Sequence, residues 1–390
     1  MMIFDKLFKK RQKTEVSLVA NQSNSFGAFG GDAYSSEIYR SAIDAIARNT
    51  AKLKGSHIIK DELNKTTQSN INYLLQIQPN EIMSAYDFLY KIVTHLYIYN
   101  NAFVLIDRDE SGIKGFYPIN ATNASLLEDS RGNLYIRLFI RDGEPIIQKY
   151  SDIIHLRRHF NSSQYFGDAN DAIMNTLDLA HTQNEGLNVS IKSGANIRGI
   201  MKYDLVLPEA DMIKTRDRFI KDFLGVSNNG GVMITDTKSS FIPIESKPIN
   251  IDDKQLLAIK TKIYDYLGIS ENIVTSKYNE NEWGAFYESV IEPIATQMSL
   301  EFTRKIFTQR EIRFKNYIMF ESGRLQFASN STKINLISQL IPYGLLSINQ
   351  ALEILNLPAV KDGDKRLQTL NVVDINKANK YQVGEDNERD

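Results

Sequence analysis

An α+β fold assembled from more than one structural unit is predicted by three observations. Between residues 102 and 156, short apolar or alternating runs recur between turn signals, the pattern of a mostly antiparallel sheet. Two long segments, 170–192 and 251–267, carry helical periodicity. A third, 283–307, is helical around one internal proline, Pro293, where a kink or restart is expected because proline removes a backbone donor.

The elements follow in order. Ser35 to Leu53 reads as a helix, His57 to Ile59 as a short strand and Asn70 to Gln76 as a second helix. Ser84 is placed to cap a helix through Tyr97, with Phe88, Ile92 and His95 on one stripe. Ala102–Asp107 and Ile113–Pro118 flank Glu110-Ser111-Gly112, a hairpin signal. Leu134–Ile140, Ile146–Tyr150 and Ile153–Leu156 continue the strands, with Arg141-Asp142-Gly143 as a further turn. After the helix over 170–192 comes a short strand at Ile200–Tyr203. Pro208 starts a helix striped by Met212, Arg216, Phe219, Ile220 and Phe223, which Gly225 ends. A strand over Val232–Thr235 is expected to pair with Phe241–Ile244.

In the helix over 251–267, Leu256, Ile259, Ile263 and Leu267 form one apolar stripe, and Gly268 closes it with a left-handed cap. Ser270 to Glu282 is polar, has little to anchor it in a core, and reads as a loop. Trp283, the only tryptophan, opens the next helix, with Phe286, Val290 and Ile291 on one side and Met298, Phe302 and Phe307 beyond Pro293. Asp374 to Asp390 lacks periodicity and reads as disordered.

Composition narrows the function. A chain of 390 residues that is 42% hydrophobic can bury a sizeable core. Its net charge of −1 gives no global attraction to nucleic acid, so tight DNA binding is disfavoured. Cysteine is absent, which excludes disulfides, thiolate catalysis and cysteine-based zinc sites, and fits assembly in a reducing cytoplasm. No apolar run approaches the ~18–20 residues of a membrane span. The start, Met1 to Arg11, places its basic cluster after the apolar part, the reverse of a secretory signal. It reads as a flexible or docking tail; a peripheral membrane scaffold anchored by Phe4, Leu7 and Lys9-Lys10-Arg11 is the alternative.

Catalytic patterns are weak. His155, Arg157, Arg158 and His159 form the densest cluster, and a metal-dependent hydrolase or nuclease centred on His155 and His159 is the rival reading. No carboxylate lies inside that cluster, which favours a structural role. Gly27-Ala28-Phe29-Gly30-Gly31 lacks the following Lys-Ser/Thr and the preceding strand of a phosphate-binding loop. No catalytic residue, metal or cofactor is therefore assigned, and the chain carries no motor of its own.

Ser41 to Leu53, Leu74 to Phe88, Tyr99 to Ile106, Asp152 to His155, Gly344 to Ala351 and Leu357 to Asp364 carry short motifs whose order resembles the HK97-like family of bacteriophage portal proteins. Ser41 to Leu53 resembles that family's first wing helix. Leu74-Leu75, Gln78-Pro79-Asn80, Met83 and Phe88 resemble its L…PN..M…F pattern. Tyr99 to Ile106 stands where the family has a Gly-Asn-Ala turn into a strand, with Asn100 in place of glycine. Asp152-Ile153-Ile154-His155 resembles its D-I-I-H segment. Gly344 to Ala351 resembles its G..T.NE.R helix start, with Gln350 for glutamate. Leu357-Pro358 and Gly363-Asp364 resemble its L-P…G-D, and Ser270 stands where proline is common.

The resemblance implies an α/β wing over 35–169 and 284–328, long stem helices over 170–194 and 249–268, and a small α/β clip over 195–248. A tunnel loop would span 269–283, Arg313–Phe320 would return as a wing strand, and Thr332–Leu355 would form a helical crown within 329–360, with flexible tails at 1–34 and 361–390. It implies a closed ring of about twelve copies at one capsid vertex of the virion, assembled in the host cytoplasm. Double-stranded DNA would pass non-specifically through its axis. The expected partners are other copies, the terminase large subunit, a head-completion or adaptor protein, and the major capsid and scaffolding proteins; no membrane is expected. Ser276, Lys277, Tyr278, Asn279, Glu280 and Asn281 would face the channel, with Lys254, Lys260 and Lys262 as candidates on the stem.

Overall fold

The computed structural model describes residues 33–59, 69–140, 143–194, 253–321, 330–355 and 357–368, with shorter pieces at 16–18, 25–27, 65–66, 199–203, 208, 210–214, 217 and 239–243. The chain divides into two compact units, one from residues 1–27, 43–168 and 272–390, the other from 28–42 and 169–271.

Among the described residues, the first unit carries four antiparallel sheets and the helices that cover them. β1 (Val16–Leu18) and β2 (Ser25–Gly27) are followed by α1 (Glu37–Thr50), β3 (Lys54–Ile59), β4 (Lys65–Thr66), α2 (Asn70–Gln76) and α3 (Ala85–Tyr99). Then come β5 (Asn101–Asp109), β6 (Gly112–Ile119), β7 (Ala121–Asp129), β8 (Leu134–Ile140), β9 (Ile146–Lys149) and β10 (Ile153–Arg157). β1 and β2 both pair with β7, which continues through β8 to β9. β5 lies between β10 and β6, in the hairpin that Glu110-Ser111-Gly112 signalled. The segment 1–34, expected to be a flexible tail, thus supplies two edge strands; the basic run at 9–11 lies outside the described residues.

Alternation decides how these sheets pack. Phe103, Leu105, Tyr117 and Ile119 from β5 and β6 share one buried cluster with Leu126, Ile136 and Leu138 from β7 and β8. The opposite side of the β5–β6 pair meets helices: the Phe88 and Phe116 rings are 6.2 Å apart, and Phe116 and Phe302 5.6 Å. Each such fully buried ring contributes about 1.5–3 kcal/mol of transfer free energy. α3 begins as its sequence indicates, because Ser84 and Asp87 form a reciprocal capping box. It ends at Asn100, which adopts φ 52 as a left-handed cap. The departure from glycine at that position costs little, since asparagine tolerates this conformation better than most side chains.

The motif residues prove to be devices for satisfying backbone groups. Asn80 donates to the Phe116 carbonyl at 2.8 Å and accepts from the Ile82 and Met83 amides at 3.0 Å each. Asn100 donates to the Asp168 carbonyl at 2.7 Å. Asn349 donates its amide to the Gly363 carbonyl and its side chain to Asp364, and accepts from the Val360 amide at 2.9 Å. That contact joins two motifs far more tightly than their separate positions in the sequence suggest.

In the second unit, α4 (Asp171–Gly194) packs against α5 (Asp253–Leu267). Ile173, Leu177 and Ala180 are buried on α4, and Ile259, Ile263 and Leu267 on α5. Both series repeat at three or four residues, one stripe per helix; Leu256, assigned to the same stripe, is 37% exposed. Buried Asn170 ties the helix start in place, accepting from the Tyr266 hydroxyl at 2.7 Å and donating to the Tyr39 hydroxyl at 3.4 Å. β11 (Gly199–Tyr203) pairs with β12 (Ser239–Pro243). The strand expected over 232–235, and with it the expected pairing of 241–244, and most of the helix expected over 208–223 lie outside the described residues.

From α6 (Glu271–Val274) onward the chain is helical again, through α7 (Glu280–Phe286), a π-helical turn (Tyr287–Ile291) and α8 (Glu292–Ile306). The Glu292 amide bonds the Tyr287 carbonyl, five residues back, directly before Pro293. A π turn is one way a helix passes a proline, so the expected kink is a widened turn in a continuous helix. α9 (Gln309–Arg313) leads to β13 (Asn316–Glu321), which pairs with β3.

α10 (Asn330–Leu340), β14 (Tyr343–Ser347), α11 (Ile348–Ile354) and β15 (Arg366–Gln368) complete the described chain. The helix expected over 332–355 is therefore interrupted. Pro342 cannot continue it and Gly344 has φ 68, so a strand forms before Ser347 caps α11 with Gln350. β15 pairs with β14, so the tail expected from 361 is ordered at its start; 374–390 lies outside the described residues.

Candidate functional site

The candidate site is the exposed turn between α5 and the long helix α7–α8. α5 stops at Gly268, whose φ of 73 is the left-handed closure that its sequence position calls for. α6 then buries Ile273, and the chain reverses through Ser276, which also has positive φ (59). Lys277 donates its amide to the Asn272 carbonyl at 2.8 Å. Asn279 caps α7 in a capping box with Glu282, and the Asn272 side chain donates to the Glu282 carboxylate at 2.7 Å. These hydrogen bonds, from the Asn279 amide first, hold the Glu282 carboxyl below its ordinary pKa.

The segment 270–282, expected to be an unanchored loop, is thus two short helices around a five-residue turn. Its anchors come from far away in the chain. Arg48 on α1 donates to the Val274 carbonyl at 3.2 Å and to the Ser276 hydroxyl at 3.4 Å. Trp283 is buried, the Tyr278 ring lies 5.2 Å from it, and the Lys52 ammonium stands 5.9 Å from its centroid. Burial, then the neighbouring Arg48 charge, lowers the Lys52 pKa.

All six residues assigned to the channel are exposed: Ser276, Lys277, Tyr278 and Asn279 on this turn, Glu280 and Asn281 at the start of α7. The Lys277 ammonium makes no ion pair with any described residue, whereas Glu280 accepts from the Thr332 hydroxyl at 3.0 Å. On α5, Lys254 and Lys262 are exposed. Lys260 is occupied, paired with Glu271 and lying 5.7 Å from the Tyr264 centroid; the Glu271 hydrogen bond raises its pKa.

The rival histidine centre does not assemble. His155 is fully buried, with Nε2 at 3.0 Å from Asn101 Oδ1 and Nδ1 at 3.0 Å from the Tyr150 hydroxyl, so both ring nitrogens are engaged. Burial, reinforced by the charges of Arg157, Lys305 and Arg304, drives its pKa well below the ordinary value and keeps it neutral. β10 ends at Arg157, and His159 has φ 47 and is exposed, so strand alternation no longer aligns it with His155. Among the described residues no three His, Asp or Glu side chains gather where they could hold a metal ion.

Residues 37–356 match the family described as "Phage portal protein". The chain belongs to the phage portal family. The "Probable portal protein" of Lactococcus phage p2 is 20% identical over 342 residues, covering 85% of this chain and 82% of that protein. Among solved structures, the chain is similar to the neck of an empty gene transfer agent (GTA) particle computed with C6 symmetry, with TM-score 0.62 and 14% identity, covering 88% of this chain and 98% of that one. The neck of the native particle, computed with C12 symmetry, gives TM-score 0.58 and 13% identity over 87% and 97%. An HK97-family phage portal protein from Corynebacterium diphtheriae gives TM-score 0.50 and 11% identity over 75% and 95%. These likenesses show the fold. The portal match spans the candidate turn, α4 and α5, and the motif asparagines Asn80, Asn100 and Asn349.

Within this portal chain, sequence inspection overlooked the residues that hold the turn. Asn279-x-x-Glu282 is a capping-box pattern that would have moved the helix start from Trp283 back to Glu280. Nothing local in the sequence signals Arg48, which lies 226 residues from Val274.

Proposed function

We propose that the protein forms a ring of copies, twelve by the expectation from its family, around a channel that passes double-stranded DNA at one vertex of a phage capsid. The single observation that carries this is membership of the portal family across 37–356. The sixfold and twelvefold symmetries of the matched neck particles support a ring whose count is a multiple of six. In this reading 170–194 and 249–268 are stem helices, 195–248 the clip, 329–360 the crown, and the turn at 275–279 lines the passage. A head-to-tail interface that closes on itself is required, and the stem helices offer long surfaces for it.

The chemistry of the turn suits a sliding contact. Lys277, which pairs with no described residue, can reach phosphate without reading bases, and Tyr278 adds an apolar tip. Glu280 and Glu282 keep net attraction low, and the overall charge of −1 acts in the same direction. The terminase motor and then an adaptor protein are assigned to the clip side, with capsid and scaffolding proteins around the wing. Among the described residues no helix is long and apolar enough to cross a membrane.

Imaging purified protein in vitreous ice tests the proposal: rotational rings with a central hole wide enough for duplex DNA are expected. Particles that remain monomers or dimers across buffers and concentrations, or rings with the 275–279 turn on the outer rim, would overturn it.

A further inference from the structure

We propose that Arg48 is a strap that fixes the position of the 275–279 turn, and thereby how far Lys277 and Tyr278 reach. The proposal deepens the channel reading of that turn and rests on it for its functional meaning. One guanidinium spans three elements. Its Nη2 donates to the Val274 carbonyl and the Ser276 hydroxyl, at 3.2 and 3.4 Å. Its Nη1 donates to Asp44 at 3.2 Å, and the other Asp44 oxygen accepts from the Tyr90 hydroxyl of α3 at 2.8 Å. The planar fork of arginine can make these contacts at once; a lysine ammonium at the same place holds only part of them.

The attachment point gives the strap its leverage. Val274 is the last residue of α6 and Ser276 is the left-handed residue at which the chain reverses, so both lie directly upstream of Lys277. Downstream, the turn is held by different groups, the Asn279–Glu282 capping box and the packing of Tyr278 on Trp283. Release of Arg48 alone therefore loosens the entry side of the turn, leaving it the backbone bonds from Ser276 to Ile273 and from Lys277 to Asn272, while its exit keeps its side-chain anchors. The Asp44 and Arg48 side chains are 39% and 36% exposed, so the pair is solvated and weak, as a reversible fastening requires.

Hydrogen exchange on the assembled full chain tests the strap. In Arg48→Ala, the Ser276 and Lys277 amides are expected to exchange roughly three- to tenfold faster, with Arg48→Lys intermediate and Tyr90→Phe smaller still. Amides of α1 and the melting temperature should stay close to the parent, a split that a general loss of stability does not produce. Unchanged exchange at 276–277 in both Arg48 variants overturns the proposal. So does acceleration spread evenly over α1 and the turn. Should Arg48→Ala fail to fold, Arg48→Lys and Tyr90→Phe carry the same measurement. DNA packaging by the same variants judges the channel reading separately: faster exchange with unaltered packaging retains the strap and removes the turn from the channel.

Discussion

Tyr278 lies on Trp283, their ring centroids 5.2 Å apart and inclined by 33°, so the exposed tip of the turn is also the lid over the only tryptophan of the chain. Trp283 is itself 6% exposed and meets Phe286 edge-on at 5.7 Å. The turn can therefore be followed by intrinsic fluorescence. Tyr278→Ala is expected to shift tryptophan emission to longer wavelength and raise its quenching by iodide. Trp283→Phe should fold, while Trp283→Ala should cost about 3–5 kcal/mol in chemical denaturation because it leaves a ring-sized void. Unaltered emission in Tyr278→Ala would mean that the tyrosine does not cover the indole.

Charge at the tip can be changed without disturbing its supports, since Lys277 pairs with no described residue. Lys277→Glu should leave ring assembly unchanged while lowering DNA packaging or retention, with the deficit greatest at low ionic strength. Removal of 277–281 as a block is the harsher experiment, because it also takes Asn279 from the start of α7, a cap worth about 1 kcal/mol. Full packaging by Lys277→Glu at every salt concentration would remove this lysine from the channel.

Acid sensitivity should begin at the buried histidines. Burial, then Lys91, lowers the His95 pKa to about 3, and His155 is likewise driven down. Both are neutral in the folded chain, whereas the unfolded chain takes up their protons near pH 6.5. Their contribution is thus complete above that pH and is lost as pH falls; at pH 5 the deficit is about 2 kcal/mol for His95 alone. The lowered carboxyls of Asp129 and Glu311 act only at more acidic pH, so the window from 6.5 to 5 belongs to the histidines. Denaturant titrations across that window should show a falling midpoint, with a shallower fall in a His95→Phe variant. A midpoint independent of pH there would contradict the assignment.

Gly167 and Asn100 should respond in opposite ways to substitution. A Cβ on Gly167 would overlap the backbone carbonyl oxygens of Arg158 and Asn100, which cannot swing aside as a side chain can. Gly167→Ala is expected to cost about 1–3 kcal/mol or more. Asn100→Gly keeps the left-handed cap but loses the hydrogen bond to the Asp168 carbonyl and the long one from Arg158 at 3.5 Å, a cost of about 1–2 kcal/mol partly offset by easier backbone geometry. Thermal melts of the two variants compare them directly, and a Gly167→Ala protein as stable as the parent would show that this corner can open.

Sequence periodicity revealed the elements whose determinants are local. α3 carried its own cap in Ser84, the β5–β6 hairpin its own turn, and α4 and α5 their own stripes. β7 was missed because Ala121-Thr122-Asn123-Ala124-Ser125 is small and polar; it forms a strand since β8, β1 and β2 supply its hydrogen-bond partners. The turn at 275–279 was placed correctly as an exposed segment, but its fastening was not visible. Arg48, Lys52 and Trp283 converge on it only once α1 has docked, and no window of neighbouring residues contains that information.

The π turn at Tyr287–Ile291 sets the phase of the long helix. It inserts in effect one additional residue into the α-helical count, so everything N-terminal to it is rotated by roughly 100° relative to an uninterrupted helix. Trp283 and Phe286 meet the interior because of that offset, while Met298 and Phe302 do so beyond it. Shortening the chain by one residue within 287–291 would straighten the ladder and wind both aromatic rings toward water. The orientation of the turn is thus governed from a site two helical turns away, by a register rather than by a contact.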